Sequence, residues 1–390
     1  MNHQHSRTGL IVLIAASLVS TVLGSIHGFS VFLVPLETQF DEPRSTVALT
    51  YSLALVALTV SVLFGPRFFG RWSAATILLT ACALAAGGTL LAGAAGSLPI
   101  VWLGYSLIFG AANGLGYGFG LQIAAQANPG SEGSAMGIVT ASYALGAVLS
   151  PGLFAIAIEA QGFASAMMAL AVALIGSGLI SAALMRTVNA RFELPEHSVT
   201  QMTVPLRSQQ LLWLGYFGGV LAGLMVIGHA AGIVASLRPG LTPWIAPVVI
   251  ASCNLVGSLA AGRLTDKFPP GALLASLSLL TFVALVSSVI FGRTFGVMIS
   301  FGVVGFAYGG TIAAYPAAIA KLFGMRNSAR IYGRVFTAWG CAGLVGPWFA
   351  GFLFDWSGDY RLAIIAAAAF AVISTIMVAI LFRNGHLTYE

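Results

Sequence analysis

The chain has 390 residues, of which 58% are hydrophobic and only 7% are charged, and its formal net charge is +6. A soluble domain carries about 25% charged residues, so this chain has too few charges to cover a water-facing surface. The composition excludes a soluble enzyme and a nucleic-acid-binding protein, and the basic excess is expected beside membrane-spanning helices.

Long apolar runs recur along the chain, and about 20 apolar residues suffice to cross a bilayer core as a helix. Lipid offers no hydrogen-bond partner to an open loop or a sheet edge, so the spans are expected to be helical. Polar clusters separate twelve predicted helices, at 8–33, 46–66, 73–94, 98–125, 133–157, 163–186, 210–236, 243–263, 270–291, 295–322, 330–353 and 360–382. The sequence therefore predicts an all-α membrane protein with twelve transmembrane helices.

One long polar segment, "RTVNARFELPEHSVTQMTVPLRSQQ" (186–210), divides these helices six and six. It predicts an N-terminal six-helix bundle at 1–186, a cytoplasmic linker at 187–209 and a C-terminal six-helix bundle at 210–390. With the N-terminus inside, thirteen Lys and Arg fall inside and four outside, which together make the seventeen of the chain. Because positive charge concentrates on the cytoplasmic side, both termini are expected in the cytoplasm, with the protein in a cell membrane, most simply a bacterial inner membrane.

Internal repeats relate the two predicted bundles. "VTASYALGAVLSP" (139–151) resembles "VFTAWGCAGLVGP" (335–347) at an offset of 196, and "GLGYG" (114–118) resembles "GFAYG" (305–309) at an offset of 191. "GSIHG" (24–28) resembles "VIGHA" (226–230), which matches His27 to His229 at an offset of 202. Three pairs at similar offsets predict two pseudo-symmetric halves, and paired halves with a binding site at the membrane midplane are typical of transporters.

A loop motif carries a family resemblance. "GRLTDKF" (262–268) resembles the G-x-L-x-D-[RK] signature of the major facilitator superfamily, whereas the matching loop "GPRFFGRW" (65–72) lacks the Asp. The stretches 28–54, 109–118, 306–324 and 332–363 resemble the branch of monocarboxylate transporters and oxalate:formate antiporters. The resemblance implies a monomeric transporter with two six-helix bundles and a cytoplasmic gating latch formed by Arg263, Asp266 and Lys267.

In this superfamily the first, fourth, seventh and tenth helices line a central cavity, and polar side chains of their neighbours add to it. The resemblance therefore implies a set of substrate-binding candidates: His27, Tyr51, Asn113, Tyr117, Tyr143, His229, Asn254, Tyr308, Tyr315 and Trp339. Ionisable residues inside a membrane are functional candidates by default, and histidine titrates near pH 6.5. His27 and His229 are thus predicted to bind an anion or to carry a proton. The alternative is that each ring is a neutral hydrogen-bond partner between packed helices.

Two departures bear on the substrate. Branch members often hold an Arg in the eighth helix and the antiporter holds a Lys in the eleventh, where this chain has Ser258 and Thr337. A carboxylate–guanidinium clamp is therefore not available from the helix interiors. Either the substrate is not a strong anion, or imidazole and tyrosine hydroxyl groups bind it.

The leading function is a secondary active or facilitative transporter of a small organic solute by rocker-switch alternating access. The favoured substrate is a monocarboxylate-like anion, with protons as a candidate coupling ion. The alternative is efflux of a drug, siderophore or metal complex, because "GIVTASYALGAVLSPG" (137–152) partly resembles the fifth-helix signature of drug:proton antiporters.

Sequence motifs also argue against catalysis and a resident metal. No H-E-x-x-H, G-x-S-x-G or acid pair occurs in a predicted helix, so no enzyme activity is expected. The spacing of Cys82, Cys253 and Cys341 fits neither a zinc site nor a disulfide framework. No cofactor and no metal are expected.

Overall fold

The computed structural model describes residues 2–129, 132–192, 206–237, 242–291, 294–323 and 325–383. Within them, fifteen α-helices follow one another: α1 (Asn2–Leu23), α2 (Leu33–Phe40), α3 (Arg44–Phe64), α4 (Pro66–Phe69), α5 (Ala74–Gly93), α6 (Leu98–Val101), α7 (Gly110–Ala127), α8 (Glu132–Gln161), α9 (Phe163–Thr187), α10 (Leu206–Leu237), α11 (Ile245–Lys267), α12 (Pro270–Phe291), α13 (Thr294–Phe323), α14 (Met325–Ser357) and α15 (Arg361–Arg383).

Eleven helical spans in the described residues are long and apolar enough to cross a membrane. The remaining predicted helix is the eighth, at 243–263; it corresponds to α11, whose apolar part Ile245–Ala261 is shorter. The described residues contain no strand. The prediction of an all-α membrane protein is confirmed.

Two spans depart from a regular α-helix. The first predicted helix, at 8–33, is wrong in its interior and its end: α1 passes into a 3₁₀-helix at Gly24–Phe32 and then into α2. A π-helix at Trp102–Phe109 joins α6 to α7 within the span Leu98–Ala127. Both geometries are uncommon over such lengths, and π-helical turns recur at functional sites.

Helices extend into both ends of the predicted linker at 187–209, and the linker as a boundary between two bundles stays a prediction. Helix α9 ends at Thr187 and α10 begins at Leu206, four residues before the predicted start of the second bundle. Residues 193–205 of the predicted linker lie outside the described residues. The chain forms two compact units, unit 1 (Met1–Glu42 and Thr50–Glu196) and unit 2 (Pro43–Leu49 and His197–Glu390).

The two units repeat one internal packing pattern. In unit 1, α1 packs against α8 and α9, and α5 packs against α9. In unit 2, α10 packs against α14 and α15, and α12 packs against α15. These helices correspond in chain order, so the packing agrees with the predicted internal repeat.

A glycine contact recurs at equivalent places in both units. A Cβ atom added to Gly114 of α7 would collide with the backbone carbonyl of Leu58, and one added to Gly309 of α13 would collide with that of Asn254. The glycines are 195 residues apart and their partners 196 apart. Small residues at such crossings allow two helix backbones to approach closely.

We predict that Gly114→Ala and Gly309→Ala each destabilise the protein by about 1–3 kcal/mol, because the new methyl group forces the helices apart. Thermal unfolding of the purified protein in detergent measures the effect. Gly137→Ala on α8 is the matched control, since nothing lies within 4 Å of its added Cβ. A melting temperature of either variant equal to that of the control would contradict the prediction.

Candidate substrate site

The imidazole of His27 is held by two tyrosines of unit 1. Its Nδ1 lies 2.6 Å from the hydroxyl oxygen of Tyr51. The ring also stands edge-on to Tyr51 and Tyr143, with centroids 6.1 and 5.6 Å away. His27 is partly exposed, and its Nε2 has no hydrogen-bond partner among the described residues. The site thus fixes the ring and leaves one nitrogen available.

Asn113 supports this arrangement from the neighbouring helix. The Tyr143 hydroxyl donates a hydrogen bond to Asn113 Oδ1 at 3.0 Å, and Asn113 Nδ2 donates one to the Leu23 carbonyl oxygen at 2.7 Å. Asn113 is fully buried. With one protein bond at each end of its buried amide, Asn113 holds Tyr143 in place, and its own binding role stays a prediction.

Tyr117 completes the cluster in unit 1. Its ring centroid lies 4.4 Å from that of Tyr143, and its hydroxyl oxygen lies 3.4 Å from Thr140 Oγ1. The structure therefore brings together five residues of the predicted set: His27, Tyr51, Asn113, Tyr117 and Tyr143.

Unit 2 repeats the central hydrogen bond of this cluster. Trp339 Nε1 donates to the Tyr308 hydroxyl oxygen at 2.9 Å. Trp339 is 196 residues beyond Tyr143, and Tyr308 is 195 beyond Asn113. A donor on α14 thus reaches α13 as the equivalent donor on α8 reaches α7. The structure pairs Tyr308 with Asn113, whereas the short repeat at offset 191 would pair it with Tyr117.

The other predicted residues of unit 2 lie in two further places. Asn254 Oδ1 accepts a hydrogen bond from Ser258 Oγ one helical turn later at 3.2 Å, and both residues are half-buried. Tyr315 packs against Tyr216 with ring centroids 4.3 Å apart. Its buried hydroxyl has no hydrogen-bond partner in the described part of the chain.

His229 differs from His27 because it is fully buried and both its ring nitrogens are engaged. Nε2 lies 2.7 Å from the carbonyl oxygen of Pro347, which can only accept, so Nε2 carries the hydrogen. In a neutral ring, Nδ1 then accepts from the Tyr360 hydroxyl at 3.0 Å. This geometry matches the alternative weighed above, a neutral hydrogen-bond partner between packed helices. The binding and proton-coupling roles of His229 stay predictions.

Arg44 extends this chain of hydrogen bonds. Its Nη1 donates to the Tyr360 hydroxyl oxygen at 2.9 Å, and its guanidinium lies 4.1 Å from the Phe354 ring centroid. The Asp355 carboxylate accepts from the backbone N–H groups of Arg44 and Ser45, which are the first residues of α3. Arg44 and Tyr360 were not among the predicted site residues, because both lie at helix starts and not in the middle of an apolar span.

The predicted gating latch is only partly visible. Lys267 is exposed at the end of α11. The side chains of Arg263 and Asp266 lie outside the described residues. The latch stays a prediction.

We predict that Tyr360→Phe destabilises the protein by about 1–3 kcal/mol, because it leaves the buried Nδ1 of His229 without a donor. Tyr315→Phe is the matched control, since the hydroxyl that it removes has no partner in the described chain. Thermal unfolding of both variants in one detergent gives the comparison. Equal melting temperatures would show that the Tyr360–His229 hydrogen bond contributes nothing.

Comparisons with known proteins agree with this fold. The pattern of the Major Facilitator Superfamily matches residues 10–294 and 236–388. The structure resembles that of the peptide transporter POT in complex with alafosfalin, with a TM-score of 0.78, 13% identity, and coverage of 97% of this chain and 96% of that one.

Three curated relatives are similar over most of their length. The chain is 26% identical to the uncharacterized MFS-type transporter YhjX of Escherichia coli (strain K12), covering 86% of each protein. It is 23% identical to the oxalate:formate antiporter of Oxalobacter formigenes, over 93% of this chain and 89% of the antiporter. It is 25% identical to monocarboxylate transporter 13 of Rattus norvegicus, over 93% of this chain and 86% of that transporter. The chain therefore belongs to the major facilitator superfamily, in the branch of these carriers, and is a multi-pass membrane transporter, not an enzyme.

Proposed function

We propose that the protein transports a small organic anion of the monocarboxylate class by rocker-switch alternating access, with His27 as the anion-binding group of unit 1. The observation that carries the proposal is that only one of the two nitrogens of the His27 ring has a hydrogen-bond partner in the described part of the chain. Nδ1 is bound to Tyr51 at 2.6 Å, while Nε2 has no partner among the described residues.

The tautomer of His27 then defines the ligand. Where the Tyr51 hydroxyl donates to Nδ1, a neutral ring carries its own hydrogen on Nε2. A protonated ring also carries a hydrogen there. In both states Nε2 donates, so its complement is a hydrogen-bond acceptor such as a carboxylate oxygen.

The surroundings of His27 support binding that does not need an arginine. Tyr143 contacts the imidazole edge-on, and the Asn113 amide fixes the Tyr143 hydroxyl. A ring that is held in place before binding loses little conformational freedom when the anion arrives, and this lowers the cost of binding. The names of two relatives, an oxalate:formate antiporter and a monocarboxylate transporter, support the same substrate class.

Uptake into proteoliposomes tests the proposal with radiolabelled formate, acetate, lactate, pyruvate and oxalate. We expect at least one of these acids to be taken up. His27→Ala is expected to raise its KM about ten- to hundredfold, the loss that follows from removing a hydrogen bond to a charged group. His27→Gln, which can still donate, should lose less. Full uptake by His27→Ala would contradict the role of His27.

Failure of every acid would reject the substrate class and leave the family assignment untouched. Greater sensitivity of a deletion strain to toxic amphipathic compounds, without loss of growth on organic acids, would then favour the efflux alternative. The same strain complemented with His27→Ala shows whether the site serves that solute.

We predict that Tyr51→Phe raises KM by less than His27→Ala, because the ring keeps its edge-on contact but loses its hydrogen bond. Tyr105→Phe is the matched control, since the buried Tyr105 hydroxyl has no partner in the described chain. Both variants are assayed for uptake of the acid that the wild type transports. A KM of Tyr51→Phe equal to that of Tyr105→Phe would contradict the positioning role of Tyr51.

A further inference from the structure

A groove of about 530 Å³ lies in unit 1, on the side of α3 that faces the π-helix and α7. Its walls are almost wholly apolar, and Val60 and Leu107 are about half exposed, at 47% and 58%. The residues from Leu53 to Phe64 along α3 extend about 16 Å at 1.5 Å per residue. That length matches one leaflet of a hydrocarbon core that is about 30 Å thick.

The two ends of the groove differ. At one end Thr50 receives hydrogen bonds from Trp102 Nε1, at 3.1 Å, and from Ser106 Oγ, at 2.7 Å, which tie the π-helix to α3. At the other end, beyond Phe64, the groove reaches Gly65 and Phe68. A long apolar occupant that runs along α3 would therefore place its polar group at the end of the groove beside Gly65 and Phe68.

Positive charge lies at the end of the groove beside Gly65 and Phe68. The guanidinium of Arg67 lies 4.7 Å from the Phe64 ring centroid, and Arg67 and Arg71 are both exposed. Trp72, which is 49% exposed, packs beside Phe68 with ring centroids 6.2 Å apart. Exposed tryptophan is typical of the membrane–water interface, which is where a lipid headgroup lies.

The sequence of this loop explains why its arginines are suited to an external anion. "GPRFFGRW" (65–72) contains no acidic residue, whereas the matching loop of unit 2 contains Asp266. The loop at 65–72 therefore retains two basic residues, Arg67 and Arg71, but lacks the acidic residue of the signature. Basic sites beside transmembrane helices bind the headgroups of anionic lipids.

We infer that the groove binds one acyl chain of an anionic phospholipid, whose phosphate lies against Arg67 and Arg71. The chain runs along α3 toward Thr50, and the π-helix forms the opposite wall. This inference is independent of the transported substrate, because no residue of the candidate substrate site lines the groove.

Native mass spectrometry of the full-length protein in detergent tests the inference, by titration with phosphatidylglycerol and with phosphatidylcholine of the same acyl chains. We expect phosphatidylglycerol to bind more tightly and to raise the melting temperature more, since ligands of the folded state stabilise it. Each arginine is worth about fivefold in affinity, so the double variant R67Q/R71Q should lose about 25-fold for phosphatidylglycerol alone.

Three further variants keep the test decisive. R67K/R71K retains the positive charge and should keep the preference for phosphatidylglycerol over phosphatidylcholine. This result would show that R67Q/R71Q weakens binding through lost charge and not through a change in the structure of the loop. Leu107→Trp narrows the groove and should weaken both lipids. R186Q, an exposed basic residue outside the groove, should change neither.

Equal affinity for the two lipids, or an unchanged preference in R67Q/R71Q, would overturn the inference. Displacement of phosphatidylglycerol by the transported acid, at the concentration that half-saturates uptake, would also overturn it. The groove would then belong to the transport pathway.

Discussion

A polar group buried between membrane-spanning helices can find a hydrogen-bond partner only within the protein, because lipid supplies none. Leaving it unpaired costs about 2–7 kcal/mol. The buried hydroxyls of Tyr105 and Tyr315 are left without a partner in the described residues, whereas the following buried groups are paired. Tyr143 donates to Asn113, Asn113 donates to the Leu23 carbonyl, and Trp339 donates to Tyr308. Each bond joins two helices, so each also fixes how those helices cross. On another side of the same helices, the close contacts of α7 with α3 at Gly114 and of α13 with α11 at Gly309 fix two further crossings.

The same constraint explains why the two histidines differ. His229 satisfies it completely, through Pro347 on one side and Tyr360 on the other, and is sealed from solvent. His27 satisfies it through Nδ1 alone and stays partly exposed. Under the proposed function, Nε2 of His27 obtains its second partner from a solute. Two rings that the sequence matches as a pair thus differ in their contacts: His229 is bound through both nitrogens, whereas His27 has one nitrogen without a partner in the described residues.

Hydropathy predicted the helices because each membrane span needs about 20 consecutive apolar residues, and such a run can be read directly from the sequence. The five residues around His27 belong to the ten binding candidates that the family resemblance implied, and their binding roles stay predictions. The partners of His229 were not predictable, because Tyr360 is 131 residues away and lies at the start of a helix. The 3₁₀-helix at Gly24–Phe32 and the π-helix at Trp102–Phe109 carry no signal that the sequence analysis could have used. The repeat offset of 191 was misleading because glycine-rich segments can be aligned with one another in several registers. The contacts of Gly114 and Gly309 show that equivalent positions are 195 residues apart.

The arginines discussed above lie at the ends of the membrane spans. An arginine at the centre of a bilayer costs about 2.5–3.5 kcal/mol or more, so a chain that holds one there needs compensating partners. In this chain Arg67 and Arg71 lie at the end of a span, and Arg44 lies at a helix start. The interior keeps imidazole and phenol groups, which donate hydrogen bonds while neutral. Under the proposed function, such donors hold the anion less strongly than a guanidinium clamp would. A carrier must release its solute on the far side of the membrane, and weaker donors would make that release faster.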